Sequence, residues 1–527
     1  MLMRNMKRRF LATTFCALLF IGCAPGKPLP PPNPGTSPNP GASSSFAVVA
    51  AGSAGCTASI IIVSAQVGSC SSSPAPVSKP GQPAAPGQTV ATNGEIDWPT
   101  FGFDAARSGD NTSEKTLTSA TVNGLRELWS YKLGDSIEAS PVLAAGVKTG
   151  AGAADVVYVG NHLGMFAAVN AQTGAAIWTK QLGATQSACG DTPGSIFGVG
   201  GTASIDRTLN RVYVADGKGI LWALDLGTGA VSAGWPAGGT QVVTNSAADH
   251  VRSALTLSAN ASTVFVATSA YCDDGNWNGA IRSVDAASGQ ITQTFYFATN
   301  SGTPPGGGKM GGSIWGYGGL AIDPDTQNLY GATGNIPGNE FATLNSDSIM
   351  EWNPSALDAP LGSYEPHGTG GDDDFGGSVA LYDDGGQCLA VGRKDGNFFV
   401  FDRTNINQGP TVTLALGGRF ATPAHSSATH MLYVSPSQGG LDAYMTGPGC
   451  TLNPAWQDAG GGSVPVIAGD VLYDGFGGTL KAFNAATGAA LWNSGNSIAG
   501  QIWGQPIVVN GHAYVGDRNG ILYGFGL

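Results

Sequence analysis

The residues of this chain best suited to chemistry fall between Asp273 and Lys394. The run from Gly311 to Asn335, GGSIWGYGGLAIDPDTQNLYGATGN, sets Trp315 ahead of one strand and Asn335 at the end of the next. Asp273 and Asp274 lie upstream, Asp372, Asp373 and Asp374 form a triplet downstream, and Lys394 follows in RKDGN. Five carboxylates brought together with an Asn repel one another unless a cation or the Lys sits among them. An oxygen-rich set of that kind suits Ca²⁺. Each residue also has a plainer reading. Trp315 is then a packing wedge, Asn335 a turn residue, the Asp triplet a solvated loop and Lys394 a surface cation beside a turn. The choice between the two readings depends on whether the fold brings them to one place.

The elements that would position them repeat. LGMFAAVNAQTGAAIW (163–178), GILWALDLGTGAVSAGW (219–235), GAIRSVDAASGQITQTF (279–295) and GTLKAFNAATGAALW (478–492) share one design, with looser copies at 396–405, 439–456 and 520–527. Each is an alternating strand, an Asp or Asn, a Thr-Gly or Ser-Gly turn, then a strand often ending in an aromatic. Alternation puts every second side chain on one face. The Asx side chain can bond its own turn, and Gly takes the left-handed position. Two further strands precede each copy, giving four short antiparallel strands in a unit of roughly 55–60 residues, the size of a propeller blade. The terminal aromatics Trp178, Trp235, Phe295, Trp456 and Trp492 are expected to wedge between neighbouring blades.

Inner strands start near Ser136, Ser195, Val251, Gly312, Phe375, Arg419, Ser463 and Gln501, which predicts an all-β, eight-bladed propeller. The strand LRELWSYKL (125–133) has no inner strands before it, and the last unit, ending at Leu527, has no outer strand after it. Pairing the two closes the ring and removes both exposed edges. Within a blade the strands run A-up, B-down, C-up, D-down, so the B–C loop and the connection into the next A strand share a face. Asp273 and Asp274, Trp315, Asn335, the Asp triplet and Lys394 all fall on that face of blades 3 to 5. Long loops on one face of a rigid ring are where sites tend to sit.

Composition bounds the partners. The formal charge is −12 and charged residues make up only 11%, with no Lys/Arg cluster beyond the first ten positions, so nucleic acid is not an expected ligand. The six His lack H-E-x-x-H or H-x-x-x-H spacing, and no G-x-S-x-G elbow or C-x-x-C pair is present. GGGKMGG (306–312) lacks the Ser/Thr after Lys309 and reads as a flexible loop. Residues 1–22 read as an export signal, with Arg4, Lys7, Arg8 and Arg9 before an apolar run. The run ends at Ile-Gly-Cys23, which is similar to a bacterial lipoprotein box, although Phe20 stands where Leu is usual. Lipid attachment at Cys23 and a plain secretory signal both remain open; with Ala24 next, the lipoprotein rule favours an outer-membrane anchor or a periplasmic or surface location. Residues 23–96 read as a Pro/Gly/Ser-rich tether with a small hairpin at 45–70, and 97–527 as the propeller. Of the six later cysteines, Cys56 with Cys70 and Cys388 with Cys450 are the expected disulfides.

DWPTFGFDAARSG (97–109), the DAASG and NAATGAALW blade ends, the Gly311–Asn335 run and DDDFGGSVALYDDGGQCLAVGRKDGNFFVFDRT together resemble the pyrroloquinoline-quinone (PQQ) repeat superfamily, closest to polyvinyl-alcohol-dehydrogenase-like and quinoprotein alcohol dehydrogenase propellers. The resemblance implies PQQ held on Ca²⁺. It implies Trp315 as the ring under the quinone and Asn335 as a Ca²⁺ ligand. Asp372 or Asp374 corresponds to the general base, Asp374 also to a metal ligand, and Lys394 to the contact with the quinone. The sequence departs from the pattern too. The region SACGDTPG carries one cysteine, Cys189, where the alcohol dehydrogenases have an adjacent pair. The third-blade Arg-Gly is Asn278-Gly279, and the metal-binding Glu has only Asp273 or Asp274 as stand-in. Two functions therefore stay open: an exported PQQ- and Ca²⁺-dependent dehydrogenase of alcohols or polyols, including polymers, and a non-catalytic envelope propeller that scaffolds other proteins or binds surface polymers.

Overall fold

The computed structural model describes residues 94–527 apart from 188, 190–191, 271, 273–276, 306–310, 336–345, 367–372, 418–421, 436–439, 461 and 463. The expected export signal, Cys23, the tether, the 45–70 hairpin and the Cys56–Cys70 pair lie outside those residues.

Eight sheets of at least four strands follow one another along the chain. Blade 1 is Val142–Thr149, Gly152–Gly160, Met165–Asn170 and Ala176–Gln181, and the same antiparallel order repeats through blade 7. In blade 8 the inner strands Ile507–Val509, His512–Gly516 and Ile521–Gly526 take their outer strand from Arg126–Lys132, in antiparallel register from Arg126 opposite Gly526 to Lys132 opposite Ile521. The two ends of the propeller zip into one sheet, as the sequence predicts.

The core is a ring of layers between blades. Val142, Tyr158 and Phe166 of blade 1 meet Ile205, Val212 and Leu224 of blade 2, and comparable layers join each later pair. The seam from blade 7 through 8 to 1 forms one continuous cluster. The terminal tryptophans set the spacing. Trp178 Nε1 donates to the Leu226 carbonyl at 2.9 Å, Trp129 to Ala171 at 3.0 Å, Trp456 to Ala485 at 3.0 Å and Trp492 to Leu125 at 2.8 Å. Each reaches the turn side of the next blade around the ring. The turn glycine must be Gly for two reasons: Gly229 has φ +68°, and a Cβ there would lie 2.7 Å from the Trp178 ring. The Asx residue builds the same turn, as Asn170 Oδ1 accepts from Gln172 N and Thr173 N at 3.0 and 2.9 Å.

One feature was not legible in the sequence. Residues 96–111 run around the ring and touch every blade. Ile96 N donates to Asn510 Oδ1 of blade 8, and Trp98 bridges Leu143 of blade 1. The Pro99 carbonyl then accepts from Ile205 N of blade 2, and Thr100 Oγ1 reaches Leu255 O at the inner strand of blade 3. The carbonyls of Ala105, Ala106 and Ser108 accept from Ile322, Leu381 and His425 of blades 4, 5 and 6. Asp110–Asn111 adds a parallel strand to blade 7, and Asn111 Nδ2 closes the circuit on Val508 O of blade 8. Arg107, 2% exposed, ties the loop together by donating to Leu320 O, Thr100 Oγ1, Phe101 O, Leu255 O and Thr256 Oγ1.

Two disulfides occur among the described residues. Cys388–Cys450 joins blades 5 and 6, as expected. Cys189 pairs with Cys272, linking the connection into blade 2 to the B–C loop of blade 3.

Candidate functional site

The expected residues that are described meet around one carboxylate. Asp374, 1% exposed, follows blade 4 and precedes the inner strand of blade 5. Its Oδ2 accepts from Trp315 Nε1 at 2.7 Å and from the Asn335 backbone N–H at 3.3 Å, while Lys394 Nζ lies 2.6 Å from Oδ1. Lys394 N also donates to the Asp374 carbonyl at 3.0 Å, which fixes the fifth-blade turn against the triplet. The Lys394 ammonium stands 4.7 Å from the Trp315 ring centroid, within cation–π reach.

Gly334 makes this meeting sterically feasible. A Cβ there would lie 2.7 Å from Ser313 Oγ, 2.9 Å from Trp315 Cδ1 and 3.0 Å from Asp374 Oδ2. The ATGN ending of that strand therefore lets the backbone pass close beneath Trp315. Trp315, Asn335, Asp374 and Lys394 are thus brought together. Asp273, Asp274 and Asp372 lie outside the described residues.

The arrangement extends to residues the sequence reading passed over. Asp347 opens strand C of blade 4, its N–H donating to the Gly334 carbonyl at 3.1 Å, with a left-handed φ of 49°. Its Oδ1 is buried without a hydrogen-bond partner among the described residues. Burial, and next the neighbouring Asp374 charge, push its carboxyl up to about 7 against the pull of Arg393. From blade 3, the Arg252 guanidinium carbon sits 5.1 Å from the Trp315 ring centroid and 4.8 Å from that of Tyr317. Glu138, at the start of blade 1, holds His162 Nε2 at 3.3 Å and Arg518 Nε of blade 8 at 3.2 Å. Burial works to raise the Glu138 carboxyl, but His162, Arg252 and Arg518 outweigh it and bring it below its ordinary value. Arg518 in turn lies 3.9 Å over Trp503.

Every one of these groups occupies a connection into strand A, a B–C loop or the residue closing one. The parity rule that places Trp315 and Lys394 on one face reaches them as well once it is applied to blades 1, 3 and 8. Arg252 and Asp347 lie in blades 3 and 4 beside the residues named from sequence but stand in no motif, whereas Glu138 and Arg518 lie away from them in blades 1 and 8.

Residues 98–360 match the model of the glucose/ethanol/alcohol dehydrogenase β-propeller domain of the PQQ family. The protein carries a PQQ-type propeller. Among solved structures it is similar to the quinohaemoprotein alcohol dehydrogenase of Comamonas testosteroni, at 18% identity and a TM-score of 0.61 over 82% of this chain and 80% of that one. A europium-containing methanol dehydrogenase aligns at 17% identity and 0.62, covering 82% of this chain and 98% of the other. BamB from Moraxella catarrhalis aligns at 15% and 0.52, over 76% and 100%. At these identities the likeness is one of fold. No curated protein matches.

The PQQ-type propeller raises the question of whether these residues fit a planar quinone and a hard cation. They do on two counts. Trp315 offers a half-exposed indole flanked by the cations of Lys394 and Arg252, which suits a flat anionic ring. Asp374 and Asp347 Oδ1, which has no hydrogen-bond partner among the described residues, offer oxygen donors of the kind Ca²⁺ takes, and Asn335 stands beside them through its backbone N–H. The disulfide pattern departs: Cys189 is bonded to Cys272, 83 residues away, and has no adjacent cysteine partner.

Proposed function

We propose that this PQQ-type propeller is a quinone-dependent dehydrogenase of alcohols or polyols, with Ca²⁺ or a similar hard cation at the same site. The observation that carries the reading is the convergence of Trp315 and Lys394 on the buried Asp374 carboxylate. In this reading Trp315 would carry the quinone ring, and Asn335, Asp347 and Asp374 would hold the cation. When bound, the quinone supplies the two-electron acceptor for alcohol oxidation. Asp374 receives the hydroxyl proton, as a carboxylate within hydrogen-bond reach of a substrate can. Asp372 and Asp274, which the resemblance also nominates, belong to this proposal on sequence alone.

Lys394 keeps Asp374 oriented and places positive charge beside the Trp315 ring, where it would stabilise negative charge on a bound quinone. We further infer export and lipid anchoring through Cys23 from the Arg/Lys-apolar-Cys pattern at the N-terminus. Cys23→Ser is expected to abolish labelling by a fatty-acid analogue and to shift the protein to the soluble fraction.

The decisive experiment incubates purified protein with PQQ and Ca²⁺ and follows reduction of an artificial electron acceptor with a panel of alcohols. Turnover that disappears in Asp374→Asn supports the reading. A protein that binds no quinone at micromolar concentration excludes it and favours the scaffold, to which the missing adjacent cysteine pair already points; specific co-purifying envelope proteins would then be expected.

A further inference from the structure

The loop of residues 96–111 also shapes a cavity on the other face of the ring. Pro99 and Phe103 of the loop, Ile205 of blade 2, Leu257 of blade 3, and Ile322 and Pro324 of blade 4 give it a largely apolar wall around about 230 Å³. The turns that follow Thr256–Leu257 and Ala321–Ile322 join strands A and B of their blades, so this mouth lies opposite the B–C loops that carry Asn335 and Lys394. None of the described residues around Asp374 lines it. Phe101 stands between the two places. It packs in one cluster with Ala254 of blade 3, Val464 of blade 7 and Tyr317, and blades 3 and 7 face each other across a ring of eight.

The polar groups on that wall are unequal. Arg107 spends all five of its N–H donors on Leu320 O, Thr100 Oγ1, Phe101 O, Leu255 O and Thr256 Oγ1. Thr100 and Thr256 give their own protons to the Leu255 and Leu320 carbonyls. Ser258 Oγ donates to Asn260 Oδ1, and Gln327 Nε2 donates to the Asp323 and Pro324 carbonyls. What remains, apart from the Ser204 hydroxyl, accepts. The Asp104 carboxylate takes one bond on each oxygen, from Ser108 N at 3.0 Å and Ser108 Oγ at 2.6 Å, and forms no ion pair among the described residues. Gln327 Oε1 receives no donor among them. Burial works to raise the Asp104 carboxyl above its ordinary value while Ser108 and Arg107 pull it back, and a cation brought alongside offsets that cost. An apolar cavity of roughly 150 Å³ takes benzene, so about 230 Å³ holds such a ring with a short charged arm. We propose that this cavity is a second ligand site, taking a small primary ammonium ion with an apolar body, its N–H groups donating to Asp104 and Gln327. The site lies beyond Phe101 and does not depend on the quinone reading.

The test is a ligand-observed NMR titration of the full-length protein without quinone. The two probes are phenethylamine and 2-phenylethanol, which keeps the ring and arm and replaces the ammonium by a neutral hydroxyl. Three variants are compared with wild type. Asp104→Asn keeps an oxygen for Ser108 and removes the charge, Leu257→Trp fills the cavity, and Trp315→Ala alters the other face. Circular dichroism melts confirm that each is folded. Wild type is expected to bind one phenethylamine per chain saturably, at about 1 mM or tighter. The alcohol should bind about tenfold more weakly or worse. Asp104→Asn is expected to weaken the amine by roughly 10- to 100-fold, as loss of a charge-assisted bond does, and to leave the alcohol within about threefold. Leu257→Trp should weaken both probes, and Trp315→Ala neither.

No saturable binding of the amine, equal affinity for amine and alcohol, or a folded Asp104→Asn that binds the amine as tightly as wild type overturns the proposal and leaves the quinone reading untouched. Amine binding that is lost in Trp315→Ala but kept in Leu257→Trp puts the ligand on the other face and overturns it as well.

Discussion

Arg107→Met tests whether the loop of residues 96–111 is a working part of the ring. The side chain is 2% exposed and donates to three backbone carbonyls and two hydroxyls drawn from its own loop and from blades 3 and 4. Burial already lowers its guanidinium to about 10, so it is a desolvated charge whose stability depends on those acceptors. Met fills much of the volume but supplies no donor. Thr256 Oγ1 keeps its bond to Leu320 O and Thr100 Oγ1 keeps Leu255 O, so the Phe101 carbonyl bears most of the loss. Leaving that buried carbonyl unsatisfied costs about 1–3 kcal/mol. Because Ala105 and Ala106 immediately precede Arg107, the loss should localise to the amides their carbonyls receive, those of Ile322 and Leu381. Native-state hydrogen exchange is the assay. Exchange at Ile322 and Leu381 is expected to accelerate roughly 10- to 100-fold if those amides open by release of the loop. Amides of Tyr523 and Leu522, within the closure sheet, should be far less affected. Unchanged exchange at Ile322 and Leu381 in a folded variant would refute the view that Arg107 holds the loop on the ring.

Two more outcomes follow from single positions. Gly229→Ala combines a left-handed φ of +68° with a Cβ 2.7 Å from Trp178, whereas Gly477→Ala has φ +56° and nothing within 4 Å. Urea unfolding should show about 2–4 kcal/mol lost for Gly229→Ala and about 1–2 for Gly477→Ala; equal losses would remove the Trp178 contact from the account. Asp110, whose buried Oδ1 has no hydrogen-bond partner among the described residues, is pushed by burial up to about 7. A carboxyl raised in the folded state contributes stability at low pH that is lost as pH climbs from about 4 through 7. Asp110→Asn should remove that decline, so the variant gains on wild type by up to a few kcal/mol above pH 7; a pH-independent difference would contradict it.

Much of the fold was readable because it repeats. A motif seen four times fixes strand, turn and wedge together, and two leftover strands at opposite ends, 125–133 and 520–527, leave one way to close. The loop at 96–111 was opaque because it has no periodicity: backbone amides and isolated side chains such as Arg107 and Asn111 hold it, spread over eight blades far apart in sequence. The site was half readable. Trp315, Asn335, Asp374 and Lys394 stand in motifs, but Arg252 and Glu138 follow from blade geometry alone. Cys189 could not be paired from sequence, since its partner lies 83 residues on in another blade.

The most direct measurement is the stoichiometry of PQQ binding in the presence of Ca²⁺, by equilibrium dialysis of wild type and Trp315→Ala. The account predicts one quinone per wild-type chain and loss of binding by at least tenfold when the indole is removed. Equal binding by both proteins, or none by wild type, would contradict a site built on Trp315 and Asp374.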